Sequence, residues 1–185
     1  GRQYLSCNLL TLILSLMGTL AAMPVTPGAA TGTGAAWSPR TAVEPPARLI
    51  IPSIGINTTI QGVGLTATGA MAVPSGKSNA VGWYQYGTAP GQVGSAVLDA
   101  HVFAAFSTLK YLKPGADVYV VTANNEILHF VVAAKQTFAL SALSSRQLFR
   151  PTTSPDLNLI TCAGALTADG STYDHRLIVY ATLVG

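Results

Sequence analysis

From Arg48 to Gly185 the chain is a succession of short apolar, β-branched runs broken by Gly, Pro and Asn. Such runs read as strands, at 48–51, 54–60, 81–84, 95–101, 117–122, 127–134, 136–140, 157–162 and 176–184. Asn124-Asn125 marks a tight hairpin between the fifth and sixth. Only 104–111, stopped by Lys113-Pro114-Gly115, and 144–149, stopped by Pro151, carry a helical pattern, and both are short. This excludes a doubly wound parallel sheet, which alternates its strands with longer helices. Many short strands leave sheet edges to be satisfied, and closure removes them. The expected fold is mainly β, a closed antiparallel or mixed barrel with two short helices.

Residues 48–185 suffice for one sizeable core. Ahead of them, residues 5–23 carry no charged side chain and would span roughly 28 Å as a helix, enough to cross a bilayer core. Residues 1–23 are therefore expected to form an N-terminal transmembrane helix or signal segment. Arg2 favours a cytoplasmic N-terminus, and Leu20-Ala21-Ala22 offers small residues where a signal peptide is cut. Both alternatives put the remainder outside the cytoplasm, at the cell membrane in the single-pass case. Residues 24–47, rich in Pro, Gly, Ala and Thr, have little to bury and read as a flexible spacer. The formal charge of +3 is scattered, with no basic stripe and no interleaved aromatics, so nucleic acid is not an expected partner.

Chemistry has few carriers in this chain, since charged residues make up only 9% of it. Of its two cysteines, Cys7 lies in the apolar N-terminal segment and Cys162 at the end of the run Leu157-Asn158-Leu159-Ile160-Thr161-Cys162. A bridge between them would tie a membrane residue to a domain beyond a long spacer, so none is expected. A lone cysteine in an apolar strand is more often core than catalyst. Against that, Ala163-Gly164-Ala165 reads as a loop of small residues whose backbone N–H groups face a developing oxyanion, with the Thr161 hydroxyl beside them. Thr161 and Ala163 are thus candidate oxyanion and substrate-binding residues. Among the histidines, His129 alternates with apolar neighbours and reads as solvent-facing, and His175 points away from Arg176 if both lie in one strand. His101 ends an apolar run and enters a loop, and is the preferred proton carrier. Arg176 opens the last run. It reads either as a strand-end side chain reaching for water or as a fork of donors on the face of Ile178 and Tyr180. Cysteine, histidine and arginine, each at a strand edge, are the parts of a thiol acyl-transfer site.

Leu159-Ile160-Thr161-Cys162, Arg176 opening the next strand, and Ala96-Val97-Leu98-Asp99-Ala100-His101-Val102 together resemble the sortases, membrane-anchored cysteine transpeptidases of Gram-positive cell surfaces. Supporting pieces run in the same order along residues 48–185, among them Val81-Gly82-Trp83-Tyr84, Pro90-Gly91-Gln92-Val93-Gly94 and Leu109-Lys110-Tyr111-Leu112-Lys113-Pro114-Gly115. The set is most similar to the class E and F, housekeeping-type branch. The resemblance implies an eight-stranded barrel with Cys162 as nucleophile, His101 as acid and Arg176 as oxyanion or backbone partner. It also implies cleavage of an LPxTG- or LAxTG-like sorting signal between Thr and Gly, with hydrolysis as a side reaction. The implied partners are C-terminal sorting signals of surface proteins and an amine of a cell-wall precursor or pilin. A cell-envelope cysteine peptidase or amidase and a non-catalytic β-barrel binding module are the alternatives. In one departure, Asp99-Ala100 precedes His101 where the family usually has a small residue, often glycine, immediately before its histidine. The domain's carboxylates are scattered singly, so neither a metal site nor a cofactor is expected.

Overall fold

A computed structural model describes residues 44–67 and 69–184. The expected N-terminal span and all but the last residues of the spacer lie outside this range. Among the described residues no helix is long and apolar enough to cross a membrane. The strands are β1 (Pro46–Ile51), β2 (Ile56–Val63), β3 (Val81–Tyr84), β4 (Gly94–Asp99), β5 (Asp117–Thr122), β6 (Ile127–Ala139), β7 (Pro155–Leu166) and β8 (Tyr173–Leu183). They close into one eight-stranded barrel in the order β1-β2-β3-β4-β7-β8-β6-β5. Closure leaves no edge strand, as the run of short strands predicts.

Nine apolar runs become eight strands because 127–134 and 136–140 are one strand. A bulge between Val132 and Ala134 interrupts the pairing of β6 with β8, and the strand then continues. The hairpin at Asn124-Asn125 is present, with Asn125 in the left-handed region at φ 67° and its N–H donating to Thr122 O at 3.0 Å. Of the two expected helices, one survives as the single turn α1 (Ser145–Leu148), opened by a capping box between Ser144 and Gln147. Residues 104–111 are not an α-helix. They form successive tight turns ending in a 3-10 turn at Leu109–Tyr111.

Strand pleat sorts the apolar residues into two sets. Leu98 of β4, Leu157 and Leu159 of β7 and Leu177 and Val179 of β8 fill the barrel interior with Phe106 and Phe130. Val97, Ile160, Ile178 and Tyr180 point the other way, to the outer face of the same strands. Two connections cover that face. Residues 64–80, the crossover required by the parallel pairing of β2 with β3, bring down Ala70 and Met71, both buried. Residues 140–154 bring down Leu148, whose carbonyl accepts from Asn158 Nδ2 at 2.6 Å, while Ser95 Oγ donates to Arg150 O at 3.0 Å. The outer face of β4, β7 and β8 is therefore a roofed apolar floor.

Candidate active site

The register of that floor assembles the site. β4 runs parallel to β7 with Asp99 beside Ile160, and β7 runs antiparallel to β8 with Cys162 opposite Arg176. Beyond the end of β4 the two chains stay in step: Ala100 N–H donates to Ile160 O at 3.4 Å, and Thr161 Oγ donates to Ala100 O at 2.7 Å. The residue after Ala100, past the end of β4, is His101, alongside Cys162 by the same register. His101, Cys162 and Arg176 thus form one transverse row across three neighbouring strands. By pleat, Cys162 and Arg176 lie on the outer face with Ile160 and Ile178.

Cys162 is buried and lies within β7, not at its end. Gly164, at φ 81°, forms a bulge between Ala163 and Leu166 that lets the strand continue where sequence suggested a loop. The Cys162 sulfur is disulfide-bonded in the structure, where the sequence reading expects no bridge. The chemistry below is that of the reduced thiol. Cys162 also borders a cavity of about 550 Å3 at the end of the barrel, lined by Phe103, Phe106, Tyr173, Lys110 and Lys135 among others.

His101 is buried and pinned. Its ring stacks on Phe103 with centroids 4.8 Å apart, and Nε2 lies 3.1 Å from Pro74 O in the 64–80 crossover. A carbonyl only accepts, so Nε2 carries a hydrogen. Nδ1 is left as the nitrogen that can gain or lose a proton, and it has no hydrogen-bond partner among the described residues. Burial pushes the imidazole pKa below its ordinary value, and the Pro74 carbonyl works against that shift.

Arg176 does not reach for water. It is fully buried inside β8. Nη1 donates to Tyr173 O at 2.8 Å and to His175 O at 2.9 Å, and Nη2 to Thr172 Oγ at 3.0 Å. These acceptors compensate a buried cation that would otherwise cost several kcal/mol. They tie the guanidinium to the start of β8, while the Arg176 backbone stands opposite Cys162.

Two expected oxyanion elements are otherwise engaged. The Thr161 hydroxyl is committed to Ala100 O and ties β7 to β4. In the small-residue segment, Ala165 N–H donates to Asp174 Oδ1 at 2.8 Å, and Asp174 also holds His175 Nδ1 at 2.7 Å. Ala163 lines the cavity beside Cys162. His129 stands apart, paired with Asp117 at 2.8 Å and stacked on Tyr119, and His175 faces away from the row with Asp174. Sequence reasoning missed Pro74 and Thr172, which hold His101 and Arg176. Neither has a chemical signature of its own, and each acts through where the chain carries it.

A family model for the Sortase domain matches residues 49–184, and the chain belongs to the sortase family. Sortases are cysteine transpeptidases. Among solved structures, sortase C2 of pilus island 1 from Group B Streptococcus is 24% identical at a TM-score of 0.57, covering 75% of this chain and 73% of that one. Sortase C-1 from Actinomyces oris is 23% identical at 0.58, covering 75% and 71%. A lid mutant of sortase A from Corynebacterium diphtheriae is 21% identical at 0.59, covering 80% and 74%. At these identities the likeness is one of fold. Among curated proteins none matches.

Proposed function

We propose that this chain is a membrane-anchored transpeptidase with its barrel outside the cell, cutting an LPxTG- or LAxTG-like sorting signal between Thr and Gly. The observation that carries the reading is the row itself: a cysteine flanked on one side by a pinned histidine and on the other by a buried arginine. The Cys162 thiolate attacks the Thr carbonyl, a C–S bond forms, and the carbonyl electrons move onto oxygen. Arg176 supplies the positive charge facing the thiolate and that oxyanion. His101, protonated at Nδ1, gives its proton to the departing Gly amine as the C–N bond breaks. An acceptor amine of a cell-wall precursor or a pilin lysine then attacks the thioester, returns a proton to His101 and releases the thiolate. The roofed apolar floor supports transfer over hydrolysis, because a positioned amine gains from proximity that water at a dry site does not match. The Val81-Gly82-Trp83-Tyr84 and Pro90-Gly91 elements support the class E/F branch.

The test is mass spectrometry of the full-length, reduced chain with LPxTG and LAxTG peptides and an excess of oligoglycine, diaminopimelate or lysine. A thioester on Cys162 and a ligated product are expected, and both vanish in Cys162→Ala while the fold is retained. Hydrolysis alone with every amine would favour a peptidase. No thioester at all would remove Cys162 as nucleophile.

A further inference from the structure

One group at the row takes no part in the steps above. Asp99 sits two residues before His101 on β4 and is 0% exposed, and neither carboxyl oxygen has a hydrogen-bond partner among the described residues. Its lateral neighbours offer nothing polar: Gly82 of β3 on one side, Ile160 of β7 on the other. The roof shuts it in, since a Cβ on Gly82 would stand 2.9 Å from Pro74 Cδ. By register Asp99 shares the outer face with the row and stands one step before it, beside Ile160 where Cys162 faces Arg176, and the guanidinium charge opposes the upward push of burial on the carboxyl pKa. A wholly buried, unpartnered carboxyl is costly, and such costs gather at functional sites.

We propose that Asp99 is a positioning residue that acts through Arg176. While the carboxyl keeps its proton, the guanidinium charge serves the sulfur of Cys162 and the oxyanion; once ionised, the carboxylate draws that charge away. The idea rests on the transpeptidase reading for its effect on turnover, but not for its effect on the thiol.

Burial raises the Asp99 pKa from its ordinary 3.8 to about 8, against the opposing pull of Arg176 and a smaller one from the Ala100 N–H, whose hydrogen bond itself goes to Ile160 O. The other titratable groups around it are few. His101 extends β4, Cys162 and Arg176 come from β7 and β8, and Tyr84 and Tyr180 lie further along the same face. The 64–80 crossover carries only Lys77, and the 140–154 connection only Arg146 and Arg150, all exposed, with Arg150 over the Tyr180 ring. The folded pKa lies above the unfolded one, so the group's contribution to stability is complete below about pH 4 and is lost as pH rises to about 8.

The test uses the full-length reduced chain and three readouts against pH: kcat/KM with the sorting peptide, peptide-resolved alkylation of Cys162 by iodoacetamide, and thermal unfolding. For Asp99→Asn, the ratio of variant to wild-type kcat/KM should rise on the order of tenfold between about pH 7 and about pH 9. The fall of Tm over about pH 4 to 8 should flatten. Asp99→Asn should change the alkylation profile in the wild-type background and not in Arg176→Ala, which needs no turnover. Asp99→Ala repeats the set with the carboxyl removed altogether. Identical pH profiles for wild type and both variants overturn the proposal. An alkylation change that persists in Arg176→Ala overturns the route through Arg176. If wild type cleaves no peptide, the reaction assignment fails while alkylation and unfolding still decide the role of Asp99.

Discussion

At the scale of single residues, the site depends on how Arg176 is held. Among the described residues its two Nη atoms reach three acceptors, two of them carbonyls of its own strand. A lysine ammonium cannot span those acceptors from the same backbone position while presenting the same charge to Cys162. Arg176→Lys should therefore lose on the order of 10²-fold or more in kcat/KM, close to Arg176→Ala. Steady-state kinetics on the two variants checks this. Turnover near wild type in the lysine variant would reduce Arg176 to a source of general positive charge.

At the scale of elements, the weak point is where β4 ends and β7 continues. Past Asp99 the strands are joined by one backbone hydrogen bond and by Thr161 Oγ to Ala100 O, and His101 follows at once. Thr161→Val keeps the shape and removes the buried donor, at a cost of about 1–3 kcal/mol. It should lower kcat more than it raises KM, because His101 loses its register with Cys162, and Thr161→Ser should restore both. The readout is kcat and KM alongside Tm. A valine variant of normal stability and rate would show that Pro74 and Phe103 alone hold the histidine.

At the scale of the molecule, the barrel closes without the N-terminal region. β1 starts at Pro46, pairs with β2 on one side and β5 on the other, and completes the ring. Deleting residues 1–43 should leave a barrel that unfolds cooperatively in aqueous buffer with the Tm of the reduced full chain. Peptide cleavage should match too, since the row lies on β7, β8 and the segment just after β4. Aggregation or lost cooperativity on deletion would mean that the barrel leans on residues before β1.

What the sequence settled by itself is what local physics controls. Period-2 apolar runs and Gly, Pro and Asn breaks placed the strands within a few residues, and their number with so little helix implied a barrel. Chemistry picked out Cys162, His101 and Arg176, because few other reactive side chains were available. Their meeting was not local. Positions 101, 162 and 176 share a row only because β4 and β7 pair in parallel across half the domain. Bulges added what pattern could not show: one fuses two runs into β6, and the one at Gly164 carries β7 past Cys162. The Thr161 hydroxyl and the Ala165 N–H are donors to any reader of the sequence. Tertiary packing spent them on Ala100 and Asp174, and left the buried Asp99 carboxyl without a hydrogen-bond partner among the described residues.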